Sequence, residues 1–182
     1  MRPLIYIVHA ILQYLFVTAF LMRLLLPLFR TNMRNPIAQA VLRATNPLVM
    51  PLRHVLPPVG RIDTASVVAL LIVQFLTILC LSILAGFPLV PSFLARETAL
   101  ALIRAALNFF SFTLIIYVVM SWVAPHTYSP VGDMLNNLCE AILRPIRRVI
   151  PPLAGLDLSA FFALIGITAI LMALPASVFP LG

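Results

Sequence analysis

Four long apolar runs alternate along the chain with two basic, proline-punctuated stretches. The first run, about 4–29, is interrupted by His9, Gln13 and Arg23; it is too long for the core of a signal peptide and reads as a retained transmembrane helix. Further runs over 64–86, 98–124 and 158–179 are each long enough, at about 1.5 Å per residue, to cross a hydrocarbon core about 30 Å thick. The stretches between them carry a second periodicity. After the first run, Asn35-Pro36 supplies a cap and a first-turn proline, and Ile37, Ala40, Val41, Ala44 and Leu48 then fall on one face of a helix predicted over about 36–50. After the third run, Ser129-Pro130 does the same for a helix over about 130–144. Its stripe is Val131, Met134, Leu135, Leu138, Ile142 and Leu143, with Asp133, Asn136, Asn137, Glu140 and Arg144 largely opposite. Both read as short amphipathic helices at the membrane interface.

Each amphipathic helix leads into an elbow, 51–63 and 145–157, and the two elbows align at an offset of 94 positions. Pro51/Pro145, Arg53/Arg147, Val55/Val149, Pro57/Pro151, Pro58/Pro152 and Asp63/Asp157 are identical, which marks an internal repeat. The chain therefore divides into a first repeat, 1–86, a connector, 87–97, and a second repeat, 98–182. The expected fold is all-α: four transmembrane helices in two parallel helix-elbow-helix repeats. Pro51, Pro57, Pro58, Gly60, Pro145, Pro151, Pro152 and Gly155 would shape the elbows, since proline removes backbone donors and stops a helix from continuing. Asp63 and Asp157 stand where the second and fourth runs begin and are expected to cap those helices.

Composition reinforces the membrane reading and excludes a soluble core, because 63% of residues are hydrophobic and 9% charged. All twelve basic residues are Arg, the cation whose planar fork of donors matches phosphate. The loops after the first and third runs hold eight of them, so both elbows are expected on the cytoplasmic side and both termini outside. Arg53, His54, Arg61, Arg144, Arg147 and Arg148 would then meet anionic lipid headgroups or another membrane protein, and a homo-oligomer is compatible with the pattern. Two readings of these arginines stay open: specific contacts, or charge that does no more than orient the chain. Nucleic acid is not an expected partner, since no soluble basic domain carries the charge. Within the runs, Arg23, Arg104 and Asn108 are polar residues that need partners. His9, His54 and His126 are far apart, and there is no nucleophile elbow or glycine-rich phosphate loop, so no metal, cofactor or catalysis is expected.

The duplicated elbow, the Asn/Ser-Pro opening before each copy and Met120-Ser121-Trp122-Val123 closing the third run resemble the YggT family, also called YlmG. Ala154 and Leu28 depart from the family pattern, standing where a glycine and, in the second repeat, Trp122 are found. The resemblance implies a multi-pass protein of the bacterial inner membrane. It links the chain to osmotic or salt-stress tolerance and potassium homeostasis, to cell division, and in plastids to maturation of a membrane cytochrome complex. These roles share no reaction, and a scaffold or assembly factor accommodates them; the alternative is an ion (potassium) channel or transporter component.

Overall fold

The computed structural model describes residues 2–29, 31–60, 62–123, 129–149 and 158–179. Among them every regular element is a helix, apart from one antiparallel pairing of Val59 with Ile62. The first run is a continuous rod: α1 (Arg2–Ala10), a π-helical stretch (Ile11–Val17) and α2 (Thr18–Leu28), with right-handed helical backbone at both joints. Pro27 stands in its last turn. The π stretch has no local signature in the apolar pattern.

Helix α3 (Pro36–Val55) opens as predicted, with the Asn35 side chain accepting from the Ile37 N–H at 2.9 Å and proline in the first turn. Its far end corrects the sequence reading. The helix does not stop at 50 but runs through Pro47 and Pro51 to Val55; likewise α6 (Pro130–Val149) runs through Pro145. Each proline deletes one bond to the carbonyl four residues back. Pro47, Pro51 and Pro145, and the residues four before them, Arg43, Pro47 and Ala141, are all exposed, so no freed carbonyl is sealed in a core. Pro51 and Pro145 are therefore helix residues, and the first elbow is confined to 56–63. There Gly60, at φ 61°, occupies the left-handed region, and Val59 and Ile62 exchange two backbone bonds of 3.1 Å across the turn.

Helix α4 (Thr64–Ala85) ends at Gly86, also left-handed at φ 71°, with the Phe87 N–H donating to the Ser82 carbonyl at 2.9 Å. Helix α5 (Pro91–Val123) takes up most of the expected connector, because Pro91 starts the helix instead of breaking it. Three helical spans are long and apolar enough to cross a membrane: Leu4–Leu28, Thr64–Ala85 and Pro91–Ser121. The expected fourth is shorter. Helix α7 (Ser159–Ala173) has 15 residues, about 22 Å, and stops because Pro175 drives Leu174 into an extended conformation.

Each amphipathic helix lies on its own pair of apolar helices, α3 on α2 and α4, α6 on α5 and α7; α4 packs along α5 to join the halves. Ala65, Ser66 and Ala69 of α4 and, 94 positions on, Ser159, Ala160 and Ala163 of α7 are all buried, small side chains that let helices approach closely. One apolar cluster joins Phe20, Leu21, Ala38, Val49 and Leu70; a second joins Leu114, Cys139, Leu143 and Ile167. A third, with Ile78, Leu81, Leu94 and Phe179, closes the opposite end. The buried line of α3 is Ala38, Thr45 and Val49, turned from the stripe read in the sequence, which leaves Ala40 and Ala44 exposed. That rotation brings Thr45 toward Arg23.

Candidate functional site

At the elbow end of the bundle, Arg23 of α2 is only 2% exposed and ties three helices together. Its Nη1 donates to Asn46 Oδ1 at 2.7 Å, Thr45 Oγ1 at 2.8 Å and the Leu42 carbonyl at 3.1 Å, all on α3. Its Nε donates to Ser66 Oγ on α4 at 3.1 Å. A guanidinium buried in an apolar bundle is tolerated when its donors are met, and here two hydroxyls, an amide and a carbonyl converge on it. Ser66 passes the contact on, donating to Asp63 Oδ2 at 2.8 Å. Asp63 in turn accepts from Arg53, at 2.5 Å from Nη2 and 3.5 Å from Nε.

Asp63 stands at the start of α4 but its carboxylate makes no capping bond to the backbone, so the predicted cap is replaced by this ion pair. Partial burial raises the carboxyl, but hydrogen bonds from Arg53 and Ser66 and the charges of Arg53 and Arg23 outweigh it, leaving the group below its usual range. Arg53 is raised, chiefly by its bond to Asp63. The elbow is tied further by Thr64 Oγ1, which donates to the Pro57 carbonyl at 2.7 Å. His54 is exposed, its Nδ1–H donating back to the Met50 carbonyl at 2.9 Å. Pro57 and Pro58 are exposed on the elbow surface.

In the second elbow Arg147 Nη1 donates to Glu140 Oε2 at 2.7 Å, and Nη2 to the Tyr117 hydroxyl at 3.3 Å. The positions correspond at the offset of 94: Arg53 to Arg147, Asn46 to Glu140, Arg23 to Tyr117. The second site thus joins the same three positions with the charges redistributed. The elbow arginine takes the anion on the amphipathic helix, and the membrane helix contributes a neutral hydroxyl. Arg144 and Arg148 point outward and carry no ion pair among the described residues. Arg61, Pro151, Pro152, Gly155 and Asp157 lie outside the described residues, and the Trp122 side chain is not described. Asn35 Nδ2 donates to the Pro130 carbonyl at 2.5 Å, so the openings of α3 and α6 meet.

Arg104 and Asn108 belong to neither elbow. They line a cavity of about 500 Å³ near the other end of the bundle, together with His9, Gln13, Ile78 and Phe109. Gln13 and Gln74 exchange amide bonds of 3.4 and 3.3 Å beside it. Sequence reasoning missed Thr45, Asn46 and Ser66 as partners of Arg23, and missed Glu97, which lies in the expected connector but is 1% exposed on α5. Single neutral residues in a helix carry no motif; aligning positions 23 and 46 with 117 and 140 is the signal that could have found two of these sites. Among the described residues no group of three or more His, Cys, Asp or Glu could hold a metal ion.

The CCB3/YggT family model matches the chain in two segments, residues 1–84 and 97–178. An uncharacterized protein of Pseudomonas aeruginosa is 38% identical over 169 residues, covering 91% of this chain and 85% of that protein. The uncharacterized protein YggT of Escherichia coli strain K12 is 30% identical over 159 residues, 87% of this chain and 82% of its own. The chloroplastic YlmG homolog protein 2 of Arabidopsis thaliana is 39% identical over 72 residues, 38% of this chain and 28% of its own. No solved structure matches the chain. With the two matched segments together covering most of the chain and taking in both elbow stretches, the chain belongs to the CCB3/YggT family.

Proposed function

We propose that this membrane protein is a non-enzymatic scaffold or assembly factor, built from two copies of one helix-elbow-helix unit. It sits in the bacterial inner membrane with its elbows on the cytoplasmic surface and both termini outside, and it serves envelope, division or osmotic-stress functions by holding partners at that surface. The observation that carries this reading is the division of labour among the arginines. Arg23, Arg53 and Arg147 are committed to bonds inside the molecule, whereas Arg34, Arg43, Arg144 and Arg148 are exposed and carry no ion pair among the described residues. Exposed aliphatics lie at the end of α3 and on the first elbow: Val55 is 78% exposed, Val59 70% and Ile62 49%. Free arginines with apolar side chains suit an interface of phosphates and acyl chains, or the membrane-proximal face of another protein, and each arginine adds about 1 kcal/mol of attraction to an anionic leaflet.

The test replaces the outward arginines and leaves the committed ones in place. In mixed vesicles, Arg43→Gln/Arg144→Gln/Arg148→Gln should insert normally yet enrich phosphatidylglycerol over phosphatidylcholine severalfold less than the wild type. Unchanged enrichment, or an inverted protein, would reduce these arginines to determinants of orientation.

A potassium channel or transporter component is the second reading, and the cavity between the first rod and α5 is the observation that favours it. Arg104 within that cavity repels cations, which weighs against potassium. Potassium flux above that of empty liposomes, altered by Arg104→Gln, would restore it.

A further inference from the structure

The cavity at the end opposite the elbows has a polar floor, apolar walls and a side opening. Its floor is set by Arg104 and His9, each 6% exposed, with Gln13 and Asn108 beside them. Arg104 Nη2 donates to the Pro175 carbonyl, but Arg104 Nη1 and His9 Nδ1 are buried without a hydrogen-bond partner among the described residues. A buried guanidinium arm left unmet is costly, and it is a standing demand for an acceptor. The walls are Ile78, Phe109 and Phe179. Two further lining residues, Tyr14 on the π stretch and Phe112 on α5, are 57% and 65% exposed, so the cavity opens sideways between these helices, within the two apolar spans. A π-helical stretch frequently marks a functional position, and here it carries Gln13 and Tyr14 into the lining.

Charge narrows the occupant. Glu97 is the acidic residue nearest in sequence, two helical turns or about 10 Å before Arg104 on α5; it makes no ion pair with Arg104, and its Oε1 is itself without a partner. The floor is therefore cationic and donor-rich. An inorganic ion would leave the aromatic walls empty, whereas an amphiphile fits both the cationic floor and the apolar walls. From this arrangement we propose that the cavity is a binding site for an anionic amphiphile, its carboxylate or phosphate held by Arg104 with His9 and Asn108, its acyl chain leaving between Tyr14 and Phe112. This site is separate from the elbow surface and does not depend on the scaffold reading.

The full-length protein, purified in a neutral detergent, would be titrated with oleate and, separately, with phosphatidylglycerol and phosphatidylcholine, and the bound lipid read by native mass spectrometry. One oleate or one phosphatidylglycerol per chain should be retained in preference to phosphatidylcholine, and whichever is retained names the headgroup. Arg104→Gln should weaken retention roughly 10- to 100-fold, the loss expected for a charged hydrogen bond. Ala101→Phe, which fills the cavity and keeps Arg104, should also abolish it, and this variant decides the matter if Arg104→Gln does not fold. The titration is read in Arg43→Gln/Arg144→Gln/Arg148→Gln, which removes the outward elbow arginines, and the cavity lipid should be retained there. In that background, equal retention of phosphatidylcholine, retention when Ala101→Phe is added, or no retained lipid would overturn the proposal.

Discussion

A single buried arginine decides how the first elbow is held. Arg23 meets acceptors on α3 and α4 at once, so Arg23→Ala leaves Thr45, Asn46 and Ser66 facing a void and should destabilise the protein by about 3–5 kcal/mol, read by denaturant unfolding in detergent. Arg23→Lys keeps the charge but cannot reproduce the fork and should recover only part of that loss. The Asp63–Arg53 pair predicts a pH dependence with a definite sign. The folded carboxyl lies below the ordinary value of 3.8, so its stabilisation is fully present above that value and disappears as pH falls through the depressed one. Asp63→Asn should remove that acid-side step, at a cost of about 1 kcal/mol near neutral pH, since Arg53 is partly solvated. Cys139 is buried and its thiol is pushed up to about 12, so it should resist maleimide in the folded state and react after unfolding. At this scale the sequence exposed the charged residues, because a charge in an apolar run stands out; their neutral partners stayed hidden, because serine, threonine and asparagine occur in helices for many reasons.

At the scale of elements, apolar length and cap chemistry were legible, and proline was misread. The openings of α3 and α6 and the stop at Gly86 follow from side chains that bond locally or from a left-handed φ, whereas Asp63 at the start of α4 turns to Arg53 and Ser66 instead of capping. The extents of α3 and α6 do not follow from such local signals, since whether a proline ends a helix depends on whether the freed carbonyl is sealed from polar surroundings. Pro51→Ala should therefore leave helix α3 intact and stabilise it, whereas a proline that shaped the elbow would on replacement disorder it; the amide exchange of 48–55 distinguishes the two. Gly86→Ala is the opposite case. A Cβ there meets nothing within 4 Å, so the cost is conformational alone and should be about 1–2 kcal/mol in the same unfolding measurement. Helix α7 is shorter than its apolar run, because hydrophobicity continues beyond Ala173 while Pro175 ends the helix.

For the whole molecule, amphipathic helices α3 and α6 each sit on a pair of apolar helices and meet at Asn35 and Pro130, which places the elbow arginines at one end of the bundle and the Arg104 cavity near the other. The proposed scaffold uses the first end. Its central claim is that the exposed elbow surface holds a partner protein, and photocrosslinking in intact membranes addresses it most directly, with a photoreactive residue at Val55, which is 78% exposed. The account predicts capture of one discrete protein, identified by mass spectrometry, with the capture lost in Arg144→Gln/Arg148→Gln and retained in Arg104→Gln. Capture of lipid alone, or capture indifferent to the outward arginines, would contradict it.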